Sequence, residues 1–206
     1  MGVFPKDAPD REETFTVRLE KGCPVEVNRA SVDSLEALLK ANEIGGRNGV
    51  GIGIHAVENR FVGIKSRGVY ESPGLCLLWE CYELILQQIL DRRARRFYDR
   101  ISQALAEQIY QGYYYDLASQ MMRQSLQPIA NLLTGTVTVR LYKGNVTFDS
   151  STDVAHSLYS EETASMEAIG DYDHRDSEGF LNVLGVSARA DHSAGQIEKA
   201  LLEGLV

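Results

Sequence analysis

Cysteine is scarce in this sequence of 206 residues. The three present, Cys23, Cys76 and Cys81, are too few and of the wrong parity for a disulfide-stapled scaffold. Cys76 and Cys81 lie in an apolar, helix-patterned stretch and do not form a CxxC pair. They are expected to be buried reduced thiols, which fits a reducing compartment. Long apolar runs are also missing. The most apolar window, Leu75 to Leu90, is broken by Glu80, Glu83, Gln87 and Gln88, which excludes a membrane span there. Met1 to Glu13 lacks the apolar core of a signal peptide, so a cytoplasmic location is the default expectation. Basic residues are in deficit, with 21 Lys and Arg against 29 Asp and Glu and a formal charge of -8. That balance argues against a general nucleic-acid or anionic-membrane partner. The short catalytic signatures are absent as well. There is no GxSxG elbow, and the four histidines, His55, His156, His174 and His192, form no HExxH or HxxxH, so no metal site is expected.

What is there is the composition of an ordinary globular protein, 44% hydrophobic and 24% charged. Residues 1–12 read as a flexible lead-in. Thr14 to Leu19 alternates like a strand, and Pro24 to Asn28 can return as its hairpin partner across the turn at Glu20 to Gly22. Ser31 or Asp33 can cap a helix running to about Asn42, with Leu35, Leu38 and Leu39 as its apolar stripe and Gly45-Gly46 as its end. Val57 to Tyr70 has strand character with polar interruptions. A helical centre follows. Its first helix, about Gly74 to Leu90, buries a face including Leu77, Leu78, Cys81, Tyr82, Ile85 and Ile89. The second runs from about Asp91 to Tyr110. The third is capped by Asp116, with Pro128 as a kink or late break. Thr136 to Tyr142 and Val146 to Asp149 flank Lys143-Gly144-Asn145, the strongest hairpin signal in the chain. Short helices near Glu161 and over Glu178 to Leu184, and a tail helix over Gln196 to Leu202, complete the expectations. Segregated strands and helices predict an α+β fold: antiparallel sheet or sheets, a helical central segment and a C-terminal tail helix. The expected organisation is a lead-in at 1–12, one domain at 13–190 and a tail helix within 191–206.

Four segments carry candidate chemistry. The glycine cluster Gly45 to Gly53 (GGRNGVGIG) is either a phosphate cradle or, more commonly for such spacing, a turn where backbones approach; it matches neither GxxxxGKS/T nor GxGxxG. Val57 to Glu71 (VENRFVGIKSRGVYE) mixes many charged groups with Phe61, Val62, Ile64 and Val69, which suits a ligand or subunit contact as well as a salt-bridged surface hairpin. Arg92, Arg95 and Arg96 share a helix face, for which a solvated surface is the better reading than an anion or nucleic-acid site. The run Tyr113, Tyr114 and Tyr115 suits the cover of a core or an interface.

The text NGVG at Asn48 to Gly51, followed by VENRFVGIKSRGVYESP at Val57 to Pro73, resembles the argininosuccinate synthase family. In the same order, EKGCPVEV, NEIGG, IYQG, TGTVTVRLYKG, SLY and DSEGF are similar to that family's carboxyl-terminal half, over nearly all of residues 13–187. The resemblance implies an ATP-dependent ligase of arginine biosynthesis and the urea cycle. Citrulline's ureido oxygen is adenylylated by ATP, and the amine of aspartate then displaces AMP, giving argininosuccinate and pyrophosphate. It implies that Glu58 and Tyr70 bind citrulline. It further implies a tetramer whose subunit contacts involve this part of the chain. Two departures accompany it. The stretch Ile52 to Val57 is one residue longer than the family's GRIDIVE pattern. The SGGLDTS-type loop that holds the pyrophosphate of ATP has no match here.

The chain is therefore expected to act with an amino-terminal nucleotide-binding half, to bind no cofactor itself and to be inactive alone. Its expected partners are citrulline, that half and further copies of itself. A stand-alone, non-catalytic ligand-binding or oligomerisation module is the alternative.

Overall fold

The structure, a computed structural model, describes residues 2–160 and 174–196, which fall into two units divided between Leu158 and Tyr159. In the first unit the alternating strand β1 (Glu13–Glu20) turns Phe15, Val17 and Leu19 fully inward. It lies at the centre of a five-stranded antiparallel sheet. On one side are β2 (Cys23–Val27) and the short β3 (Ala30–Ser31). On the other, in the order β3-β2-β1-β6-β7, are β6 (Gly135–Tyr142) and β7 (Asn145–Thr152), the hairpin predicted around Lys143-Gly144. The opposite face of the sheet is polar; Thr16 and Thr138 share a hydrogen bond of 3.0 Å there.

Two helices cover the apolar face. α1 (Ser34–Arg47) begins with a capping box. Asp33 accepts from the Glu36 N–H, and the Glu36 carboxylate accepts from the Asp33 N–H. α2 (Pro73–Ile89) starts with proline in its first turn and buries Leu77, Cys81, Ile85, Leu86 and Ile89. α3 (Arg92–Tyr110) and α4 (Leu117–Leu132) form a hairpin beyond them. In the second unit α5 (His174–Ser193) covers the helix expected at Glu178 to Leu184 and extends it at both ends. The helix expected near Glu161 lies outside the described residues, as does that expected over Gln196 to Leu202 apart from Gln196 itself. Helices and antiparallel strands are segregated along the chain, so the fold is α+β as expected.

Several local expectations are corrected. α1 does not stop at Gly45-Gly46 but runs through both. A Cβ on Gly45 would stand 3.0 Å from the Pro73 carbonyl oxygen, so the glycine lets the end of α1 touch the start of α2. The face of α1 that is buried is correspondingly small, Ala37, Ala41 and Gly45 with Ile44, whereas Leu35 and Leu39 of the expected stripe are exposed. α4 reaches Leu132 as expected, with Pro128 inside the helix and not at a break. Cys81 is buried, and burial pushes its thiol up to about 12, but Cys76 is only half-buried and Cys23 is exposed. A five-residue step on a helix turns through 500°, which puts Cys76 on a different side of α2 from Cys81.

The lead-in is also more structured than expected. The Val3 N–H donates to the Gly46 carbonyl at 2.9 Å, Pro5 to Asp7 form a single helical turn, and Ala8 is buried. Asp10 receives the Tyr142 hydroxyl at 2.6 Å and the Lys143 ammonium at 3.3 Å.

Asn48, at the end of α1, is one of the few buried polar residues among those described. Its side-chain amide nitrogen donates to Glu13 at 2.7 Å and to the Ile44 carbonyl at 2.8 Å, and its backbone carbonyl accepts from the Gly144 N–H at 2.7 Å. The side chain thus ties α1 to β1, while the backbone carbonyl of the same residue holds the β6–β7 turn. Glu13 is also ion-paired with Arg47, and that partner holds its carboxyl below the usual range. Asn48→Ala is predicted to destabilise the chain by about 1–3 kcal/mol in urea unfolding, because it strips partners from buried groups. Glu13 titrates lower folded than unfolded. Its contribution is therefore present above the ordinary value of 4.5 and lost as pH falls through the lower folded value. Glu13→Gln is accordingly predicted to flatten the acid limb of the stability–pH curve.

Candidate functional site

The segment singled out by its polar content forms a separate two-stranded antiparallel ribbon. β4 (Ile54–Asn59) pairs with β5 (Lys65–Tyr70), and the tip closes with the Arg60 N–H donating to the Ile64 carbonyl at 2.9 Å. The ribbon is anchored at its base. The Ser72 N–H donates to the Gly51 carbonyl at 2.9 Å, and the Gly74 N–H donates to the Asn42 side chain at 2.8 Å. Gly51 has φ +62°, and a Cβ there would meet both the Ser72 backbone and the Cys76 sulfur within 3.0 Å.

Those contacts decide the role of the glycine cluster. The N–H groups of Asn48, Gly49 and Val50 all donate to the carbonyls of Gly45 and Gly46. They are spent inside the turn and do not converge on a phosphate. The cluster is a close-packing turn, the commoner of the two readings.

On one ribbon face lie Glu58 and Tyr70. The Tyr70 hydroxyl donates to Glu58 Oε1 at 2.8 Å. Accepting that bond, the carboxylate holds the proton on the phenol and pushes its pKa above 10.0. Tyr70 is 45% exposed and Glu58 half-buried, so the pair faces open space with lone pairs to spare on both residues. The two residues expected as citrulline contacts are therefore brought together, twelve positions apart in the chain.

On the opposite face Arg67 Nε donates to His55 Nε2 at 3.0 Å, an arrangement that uses neutral imidazole as acceptor. Nothing in the residue types marked this pair. Its signal was strand parity: Val57 is the register partner of Arg67, and His55 lies one same-face step away. The ribbon also exposes Val57, Phe61, Val62, Ile64 and Val69.

The other candidates separate from the ribbon's polar face. Arg95 is ion-paired to Glu83 and Asp99, so the expected arginine trio is not a free cationic face. Glu83 Oε2 stays buried without a hydrogen-bond partner. Of the tyrosine run, Tyr113 meets Phe61 edge-on with ring centroids 6.2 Å apart, which ties the ribbon tip to the α3–α4 turn. Tyr114 lies 4.7 Å beneath the Arg123 guanidinium. Among the described residues no cluster of His, Cys, Asp and Glu is arranged to hold a metal, and no helix is long and apolar enough to cross a membrane.

Comparison with known proteins bears on most of this chain. The family described as "Arginosuccinate synthase C-terminal domain" matches residues 2–191. The argininosuccinate synthase of Rhodopirellula baltica is 43% identical over 189 residues, covering 92% of this chain and 46% of that protein. That of Desulfitobacterium hafniense is 37% identical over 186 residues, 90% of this chain and 46% of that protein. That of Thermotoga maritima is 38% identical over 186 residues, 88% of this chain and 45% of that protein. The chain thus spans a little under half the length of these relatives. It belongs to the argininosuccinate synthase family and corresponds to the carboxyl-terminal domain.

Proposed function

We propose that this chain supplies citrulline contacts and subunit interfaces to an enzyme that ligates citrulline and aspartate with ATP, releasing AMP and pyrophosphate. The observation that carries the reading is the Tyr70–Glu58 pair, presented on the exposed face of an anchored ribbon. A carboxylate at Glu58 accepts hydrogen bonds from the ammonium or ureido N–H groups of an amino acid. The Tyr70 phenol can donate to, or accept from, the same ligand. Holding citrulline this way orients its ureido oxygen for activation, which is what converts a poor leaving group into a phosphate ester. The triphosphate and most aspartate contacts fall to the amino-terminal half of such an enzyme. The turn after α1, where the N–H groups of Asn48, Gly49 and Val50 donate to Gly45 and Gly46, is consistent with that division.

Exposed apolar residues support the subunit role. Phe97 and Ile109 on α3, Met121 on α4, and Phe180, Leu181, Val183, Leu184 and Val186 on α5 all stand more than 40% exposed. Apolar area of this kind on a helix is normally covered by another surface.

Mixing the chain with a nucleotide-binding half made separately should yield pyrophosphate release that requires both citrulline and aspartate. An assembled complex without that activity would count against the reading. In such an assembly, Glu58→Gln should raise the KM of citrulline by about 10–100-fold and Tyr70→Phe by about 2–10-fold, as expected for a charged and a neutral hydrogen bond. An unchanged KM in both variants contradicts the assignment. For self-association, Phe180→Asp with Leu184→Asp should shift sedimentation toward smaller species; identical sedimentation argues against α5 as a subunit contact.

A further inference from the structure

The Tyr70–Glu58 contact has a geometric requirement. In the ribbon register Tyr70 stands opposite Ile54, and Glu58 stands opposite Ser66. The two residues are thus two same-face rows apart, about 13 Å along the strand at 3.3 Å per residue. Upright side chains would not meet over that distance. The row between them is Gly68 opposite Ala56, the two smallest side chains available. The Tyr70 ring lies down along the strand across Gly68. A Cβ built on Gly68 would stand well inside 3.0 Å of Cε2, Cζ and Oη of Tyr70, closer than real Cβ atoms come.

Gly68 is not needed for its backbone. It is absent from the residues with positive φ, so its conformation is open to any L-residue. Nor does its strand belong to the apolar core, which takes no residue from β4 or β5. What the glycine provides is the empty volume above the strand.

We propose that Gly68 is a positioning residue for the citrulline-facing pair: the space left by its missing side chain seats the Tyr70 ring and fixes the phenol against Glu58. This inference rests on the reading of Glu58 and Tyr70 as ligand contacts and adds the element that sets their spacing. Any larger residue at 68 stands the ring up, breaks the hydrogen bond to Glu58 and moves both groups from their common orientation. The raised pKa of Tyr70, caused by donation to Glu58, supplies a signature that does not depend on any ligand.

The test uses the full chain labelled with 13C at tyrosine Cζ, with the Tyr70 resonance assigned by its loss in Tyr70→Phe. In the parent chain Tyr70 should titrate above the ordinary value of 10.0. Gly68→Ala should bring it down toward that value, to the same extent as Glu58→Gln, with Gly68→Ser as a second variant expected to behave alike. A Tyr70 resonance that titrates as in the parent in both variants overturns the proposal. In a complex assembled with the nucleotide-binding half, Gly68→Ala should raise the citrulline KM by about 2–10-fold, as Tyr70→Phe does, leave those of aspartate and ATP unchanged, and add nothing in a Tyr70→Phe background. A further rise in that background means the substitution distorts the whole ribbon and overturns the positioning role. A shifted Tyr70 titration with an unchanged citrulline KM leaves the seating of Tyr70 by Gly68 standing and overturns the citrulline reading instead.

Discussion

The contact on which this structure depends is backbone against backbone at the end of α1. Gly45 lets the helix touch the Pro73 carbonyl at the start of α2, and Gly51 lets the following turn close on Ser72. Each glycine removes a Cβ from a place already filled by main chain, which no rotamer adjustment could relieve. Around this junction the chain spends its hydrogen bonds locally, from Val50 back to Gly45 and from Ser72 to Gly51. The lead-in joins the same knot through Val3 and Gly46.

The consequence is a ribbon that leaves and re-enters the body at one anchored point. Packing decides the rest of the first unit: one face of the five-stranded sheet and the inner faces of α1 and α2 make a continuous apolar layer. The ribbon contributes nothing to that layer. Freed from core duty, it can carry Glu58, His55, Arg67 and Tyr70 on surfaces that a buried strand would not tolerate, because an unpaired buried charge costs several kcal/mol whereas an exposed one costs little. The edge-on contact of Phe61 with Tyr113 gives its tip a second support. Rigid anchoring with exposed polar groups is what a ligand-holding element needs.

Much of this was legible in the residues. The hairpins β1–β2 and β6–β7 and the helices α2 and α3 follow from periodicity and turn chemistry, and Asp33, Asp91 and Asp116 stand at the helix starts. What periodicity misjudged was α1. Leu35 and Leu39 have the larger apolar area, but the side facing α2 has room only for Ala37, Ala41 and Gly45, so packing volume overrode hydrophobicity. Gly45-Gly46 read as a stop for the same reason: sequence shows that a Cβ is missing, not whether a turn or a neighbour requires it. The residue identities at the candidate site came through the family's motif, whereas the row-skipping reach of Tyr70 over Gly68 and the His55–Arg67 pair on the reverse face depend on strand register, which the sequence leaves open until both ribbon ends are fixed.

The central claim is that Glu58 and Tyr70 face citrulline. A crystal structure of the chain assembled with the nucleotide-binding half, in the presence of citrulline, tests it most directly. The account predicts citrulline polar atoms within about 2.6–3.2 Å of both the Glu58 carboxylate and the Tyr70 hydroxyl. Citrulline bound elsewhere, with the Glu58–Tyr70 pair facing only solvent, would contradict it.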